Sequence, residues 1–411
     1  MPPRSKRPER ARSTLAPIPE RREIKLRRAV GEDGPTARAY SARVEGPGGS
    51  FPMKRQMVDM LAELVKIPSD PFSDKQEVLD YVQSFTDQIH MRNTLFGDAQ
   101  SPALLAEYGQ GGLVLSGHLD TPPIGDYWSF SQSQVASGRL YGRGAADMKG
   151  TVVAMLQAAA DLVLRKVPVV LAFTTDEETT MQGAAALSKT LPMRRAKAIV
   201  VGEPTGLRVA HAEKGVLDIA IETRGKAAHG AMPHLGENAI SKMMRIVRGL
   251  ESFKGRIAHP ELGTVTMNLG TFHGGNRLNV VPNKATAEVD IRFPPPYSPD
   301  QLYREIEEHL RRIKTPFTLR RLVSLPSIQI DPNAPHVRLL REVSGGETTV
   351  LVHASEAVHY TQVNPRVVIY GAGEEELSHQ ANEYVKIESV ARATEVYKKY
   401  AQRLLSPRAA T

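Results

Sequence analysis

The stretch SGHLDTPP, residues 116–123, follows the apolar run Leu113–Leu115. Three consecutive apolar residues before a polar, proline-stiffened turn read as a short buried strand and its exit. His118 and Asp120 stand at i and i+2, and on an extended chain such residues share a face. An imidazole and a carboxylate therefore emerge together at a strand end, which in an open α/β sheet is where ligands bind. Two readings stay open at this point. One is a metal-ligating histidine accompanied by a carboxylate, a usual pairing. The other is an ordinary polar strand end.

Outward from this stretch the pattern alternates. Apolar helical spacing over residues 53–66 and a second helix near 75–90 precede the strand, and a short hairpin over 132–141 follows it. A glycine-rich turn, GRGAADMKG, leads into an apolar helix at 150–164, and KVPVVLAFTT is a buried strand ending at Asp176, Glu177 and Glu178. A helix at 181–190 and a strand at 198–201 ending at Gly202 and Glu203 complete an α/β run. Such a run predicts a mostly parallel sheet flanked by helices. After EPTG the texture changes to β-α-β-β-α-β, the order of a ferredoxin-like unit. The chain then returns to α/β with RVVIYGAG and a final helix. The expected organisation is a basic extension over 1–52, a first α/β part over 53–208, an inserted α+β domain over 209–325 and a second α/β part over 326–411.

Composition narrows the chemistry. With 41% hydrophobic and 24% charged residues, the chain has the balance of a soluble globular protein. No apolar run approaches the roughly 20 residues that span a bilayer, and no secretory apolar core is present, so a cytoplasmic protein with no membrane partner is expected. The absence of cysteine excludes disulfides and thiolate ligands. Any metal site must use His, Asp and Glu, which suits Zn²⁺, Co²⁺ or Mn²⁺. Residues 1–50 hold 12 basic and 6 acidic residues out of a whole-chain net charge of +8. The basic character therefore belongs mostly to this Pro-, Arg-, Ser- and Gly-rich segment, which is expected to be disordered. Nucleic acid is not an expected partner of the folded body.

Asp147 sits in the glycine-rich turn, Glu177, Glu178 and Glu203 at strand ends, and His379 after RVVIYGAG. Each falls in a loop after a strand. Turn acids and helix caps explain any one of them, but five in such positions together with His118 call for a common account.

The chain resembles the dinuclear zinc hydrolase family of acetylornithine deacetylase, succinyl-diaminopimelate desuccinylase, aminoacylase and carboxypeptidase G. The resemblance covers residues 53–405 and rests on SGHLDTPP, LYGRGAADMKG, TTDEET, VGEP, GKAAHGAMPHLGENAI, GGNRLNVVPNKATAEVDIR and YGAGEEELSHQANEY. It implies a zinc-hydrolase sheet carrying an inserted lid or dimerisation domain, and two divalent metal ions, zinc first, with cobalt or manganese as alternatives. It also implies that His118 and Glu203 complete one metal, Glu178 and His379 the other, and that Asp147 bridges them. Asp120 would steer His118, and Glu177 would be the general base. His229, in GKAAH, would reach the partner subunit's active site in a homodimer and stabilise the oxyanion there. Asn279 and Arg292 would contact the substrate carboxylate, Arg292 through two parallel bonds.

Two zinc ions roughly 3.5–4 Å apart can hold a hydroxide between them and polarise an amide carbonyl. The adjacent Glu177 and Glu178 point opposite ways on an extended segment, so one can face a metal while the other faces the attacking water. Within the family, Glu at position 203 goes with N-acyl amino-acid substrates, and the ASEA stretch, residues 354–357, leans toward the deacetylase branch. There Ser355 replaces the usual threonine. In the loop at 371–373, GAG replaces the commoner GPG. The expected activity is hydrolysis of a small N-acyl amino acid of the acetylornithine or succinyl-diaminopimelate type. A dipeptidase or carboxypeptidase of the same family is the alternative, and a binding protein acting through its basic tail the remote one.

Overall fold

The computed structural model describes residues 50–406, with side chains from residue 55. Of the basic segment, residues 1–49, and the disorder expected of them, lie outside those described, while residues 50–52 belong to a helix. The first helix, Ser50–Lys66, starts ahead of the expected Met53. Strands β1 (Arg92–Phe96), β2 (Ala103–Tyr108) and β3 (Leu113–His118) follow the helix Lys75–Gln88, and β4 (Gln134–Ala136) with β5 (Arg139–Tyr141) forms the expected hairpin. After the helix Gly150–Leu164 come β6 (Val169–Thr174), β7 (Ala198–Val201) and β8 (Val209–Glu213). Strands β9 (Gly215–Arg224), β10 (Thr266–Gly274), β11 (Lys284–Phe293) and β12 (Thr318–Leu325) enclose the helices Ala239–Glu251 and Pro299–Arg311. The chain closes with β13 (Ile328–Gln329), β14 (Thr348–Leu351), β15 (Val367–Ile369), β16 (Tyr384–Lys386) and the helix Ile387–Leu405.

A nine-stranded sheet runs in the order β1-β2-β6-β3-β7-β15-β8-β13, with β14 on β8. Its centre is parallel: β6, β3, β7 and β15 run the same way. These strands are mostly apolar, turn polar only where β3 and β6 end, and are fully buried, as strands covered on both faces must be. The helix Gly150–Leu164, also almost wholly buried, supplies part of that cover, and the helix Ile387–Leu405 packs against it. The antiparallel pair β1–β2 at one edge is absent from the sequence reading, which passes from the second helix straight to β3.

The second sheet has the order β10-β11-β9-β12, all antiparallel, the arrangement of a ferredoxin-like unit. Its alternating pattern leaves Leu217, Ile219, Ile221, Val289 and Ile291 in one core with Met243, Ile246, Leu302 and Ile306 of the two helices. The boundary expected near 209 needs correcting. Strand β8 belongs to the larger sheet, and the second sheet begins at Gly215. A change of texture after EPTG could not reveal this, because a strand of the larger sheet and an inserted strand look alike in sequence. Among the described residues, no helix is long and apolar enough to cross a membrane.

Candidate metal and catalytic site

The parallel centre delivers the acids and histidines to one edge. His118 is the last residue of β3, in register with Thr174, the last of β6, and Ser116 pairs with Val201, the last of β7. Glu177 and Glu178 therefore follow β6, and Glu203 follows β7, at the same carboxyl edge. The loop after β15 presses close: a Cβ on Gly371 would lie 2.3 Å from the carbonyl oxygen of Glu203. Asp147 arrives from another direction, in the turn Ala145–Lys149 that opens the helix Gly150–Leu164.

The six acids and histidines fall into three overlapping groups, within each of which the nearest ligand atoms lie no more than 4.8 Å apart: His118, Asp147 and Glu203; His118, Glu177 and Glu178; Asp147, Glu178 and His379. His118 Nε2 lies 3.2 Å from Asp147 Oδ1, and His379 Nε2 lies 3.5 Å from Asp147 Oδ2 and 2.9 Å from Glu178 Oε1. His118, Asp120 and Glu203 are almost wholly buried, whereas the His379 side chain is 53% exposed.

Asp120 contacts both His118 and the turn that carries the two glutamates. His118 Nδ1 lies 2.9 Å from the backbone carbonyl of Asp120 but 3.7 Å from its carboxylate. A carbonyl only accepts, so this contact places a proton on Nδ1 and turns Nε2 toward the acids. The Asp120 carboxylate instead accepts the backbone N–H groups of Glu177 at 3.2 Å and Glu178 at 3.0 Å. It fixes the turn that carries both glutamates.

The electrostatics of this cluster are those of a cation site. Burial works against a charged His118, but Asp147, Glu177 and Asp120 outweigh it and hold the imidazolium well above its usual range. Hydrogen bonds to Asp147 and Glu178 raise His379 to about 10. Burial opposes the Asp147 carboxylate, yet the two histidines hold its pKa well below the usual range. Burial, then Glu203, Glu178 and Asp120, push the Glu177 carboxyl well up against the pull of His118. Glu203 Oε1 is buried and meets no hydrogen-bond donor among the described residues. An orphaned buried carboxylate oxygen is costly. That orphan, in an all-nitrogen-and-oxygen donor set, fits hard or borderline divalent cations.

His229, Asn279 and Arg292 lie elsewhere. His229 pairs with Val280 across two loops, the Gly230 N–H donates to the Asn279 carbonyl at 2.7 Å, and both side chains are exposed. Arg292 already donates its fork to Asp290, at 2.7 and 3.0 Å. Among the described residues, no hydrogen bond or ion pair links these three to the acid–histidine cluster.

Sequence reasoning left His353 without a role. It bridges Glu375 at 2.9 Å and Glu203 at 3.9 Å. Nor did it single out Arg143 and Glu383, although both stand inside quoted motifs. In the ASEA stretch, Ser355 and Glu356 are fully buried, hydrogen-bonded to Glu213 and Thr174 respectively. Burial pushes both Glu213 and Glu356 up to about 8.

The sequence profile of Peptidase family M20/M25/M40 matches residues 114–403. The chain is 30% identical over 358 residues to acetylornithine deacetylase of Myxococcus xanthus, spanning 82% of this chain and 94% of that protein. It is 28% identical over 398 residues to a probable succinyl-diaminopimelate desuccinylase of Staphylococcus epidermidis, spanning 84% and 96%. The fold is that of an M20 family metallo-carboxypeptidase from Sulfolobus solfataricus, with a TM-score of 0.70 at 18% identity, covering 85% of this chain and 99% of that one.

Proposed function

Because this chain belongs to peptidase family M20/M25/M40, we propose that it is a two-metal amidohydrolase that cleaves the amide of a small N-acyl amino acid, in the manner of acetylornithine deacetylase or succinyl-diaminopimelate desuccinylase. The observation that carries this reading is the position of Asp147. Its Oδ1 faces His118 and its Oδ2 faces His379, so one carboxylate joins a His118–Glu203 set to a Glu178–His379 set.

Two divalent cations held there, zinc first and cobalt or manganese as alternatives, would polarise the amide carbonyl and acidify the attacking water. The chain's own residues do the rest. Glu177, grouped with His118 and Glu178, takes the water's proton and passes it to the leaving amine. Asp120 holds the backbone of Glu177 and Glu178, so base and ligand keep their relative positions through the reaction. His229 stabilises the developing oxyanion from the partner subunit of a homodimer formed through the inserted domain. Its exposure and its separateness from the cluster support a role completed by another chain. Asn279 and Arg292 receive the substrate carboxylate. Arg292 must then exchange Asp290 for the substrate.

The test is a panel of N-acetyl-ornithine, N-acetyl-methionine, N-succinyl-diaminopimelate and a dipeptide, each with zinc or cobalt. Release of the free amine from at least one acylated amino acid is expected. Turnover of the dipeptide alone would move the chain to the peptidase branch. No turnover of any acylated amino acid by metal-loaded protein would overturn the proposal.

A further inference from the structure

His379 is held differently from His118 and Glu203. It lies well beyond the end of β15, its side chain is 53% exposed, and its backbone is left-handed with φ of 65°. A residue with a Cβ adopts that conformation only where its surroundings demand it.

The surroundings here are a buried ion pair. Arg143 Nη1 lies 2.7 Å from Glu383 Oε2, with side chains 6% and 0% exposed. Arg143 Nη2 also donates to the carbonyl of His379 at 3.1 Å, and Nη1 to that of Gln380 at 3.3 Å. The guanidinium thus grips the two consecutive carbonyls that begin at the histidine. On its other side, Nε and Nη2 donate to the carbonyls of Pro123 and Ile124, at 3.1 and 3.2 Å, in the loop that leaves His118. A guanidinium has five N–H donors, and these five contacts use them all. Glu383 Oε1 accepts the backbone N–H groups of Ala146 at 2.9 Å and Asp147 at 3.1 Å. The pair therefore ties together three segments: the loop that follows β3, the turn bearing Asp147 and the loop bearing His379.

Stability alone is a poor explanation for such a pair, since apolar residues of similar volume often serve a fold as well. Apolar residues cannot set the direction of four carbonyls and two N–H groups. We propose that Arg143 and Glu383 are positioning residues that hold His379 in reach of Asp147 and Glu178, and so set cation affinity at that half of the site. The His118–Glu203 half, carried by the ends of β3 and β7, does not depend on them in this way. The proposal rests on the two-metal reading above.

The test uses the full-length chain with Arg143→Lys, whose single ammonium cannot reproduce the fork, in two measurements. In the structure of the metal-free variant, His379 is expected to leave its contacts with Glu178 and Asp147, while His118 keeps its contact with Asp147. In a zinc titration, one of two affinities is expected to fall by about 10- to 100-fold and the other to stay in place, with turnover recovering at high zinc. Glu383→Gln keeps an acceptor toward Ala146 and Asp147 while loosening the hold on Arg143. It is the second variant, and it should show the same selective loss should the first not fold. An unmoved His379 with unchanged affinities, or an equal loss of both affinities in a natively folded variant, would overturn the proposal. A wild-type chain that takes up fewer than two zinc ions would instead overturn the two-metal reading. The position of His379 in the metal-free variant would then decide the clamp by itself.

Discussion

The two sheets of this molecule carry their functional residues in opposite ways. At the carboxyl edge of the nine-stranded sheet, His118, Asp120, Asp147 and Glu203 are buried and already engaged with one another or with their neighbours. On the four-stranded sheet and its loops, His229 and Asn279 are exposed, and Arg292 is tied to Asp290 on its own strand. The first group is assembled by the topology of one chain, because parallel strands end together and their exits converge. The second is presented at the surface or, for Arg292, along its own strand. Under the proposed function, chemistry is thus built in advance, and recognition waits for substrate, for a second copy, or for both.

The largest effects should come from the built-in half. Glu177→Gln preserves shape and removes the proton acceptor, so turnover of the best substrate in the panel should fall by about 10²–10⁴-fold while zinc content stays at the wild-type level. His118→Ala should show the opposite signature, losing zinc along with activity. A near-normal rate for Glu177→Gln would remove Glu177 from its assigned role and leave the cluster as a binding site only.

The presented half should respond next. His229→Ala should lower kcat by about 10²–10³-fold, the size of one lost oxyanion donor, without changing zinc content. The contrast between the two regions sharpens when the variants are mixed. If His229 serves the partner's site, unfolding and refolding Glu177→Gln together with His229→Ala should restore about a quarter of the wild-type activity, because half of the dimers are mixed and each holds one intact site. If His229 serves its own chain, the mixture stays inactive and the argument for a shared site fails.

These regions also differ in how far they could be read in sequence. Strands β3, β6 and β7 announce themselves as apolar runs, and their exits carry His118, Glu177, Glu178 and Glu203, so most of the cluster follows from where buried strands end. The pair β1–β2 does not: RNTLF has no buried residue on either face, and its pairing is decided by the sheet it joins. Asp120 was legible as a companion of His118, but the Glu177 and Glu178 amides it holds lie far along the chain. The same limit hid Arg143 and Glu383, whose partners are backbone groups on other loops. Arg292 reads as free to bind a carboxylate because a sequence does not say that Asp290, two positions earlier, will fold back onto it.

The smallest expected effect is a proton count, and it reports on the built-in half alone. Without a cation, His379 titrates near 10 rather than at its usual value, because Asp147 and Glu178 favour its charged form. A histidine must be neutral to bind a metal. Between about pH 6.5, its value in an unfolded chain, and about 10, its value here, the metal-free protein carries a proton that the metal must displace. Zinc uptake at pH 7.5 should therefore release protons, and zinc affinity should climb with pH and level off above about 10. The sign reverses for the metal-free fold. A raised pKa adds stability that is fully present below about pH 6.5 and is lost as pH rises through about 10, so the melting temperature should drift down over the interval in which zinc affinity rises. Calorimetry of zinc binding in two buffers of different ionisation enthalpy counts the protons directly. Equal heats in the two buffers would mean that the histidines are already neutral, and that the carboxylates do not hold them as the geometry requires.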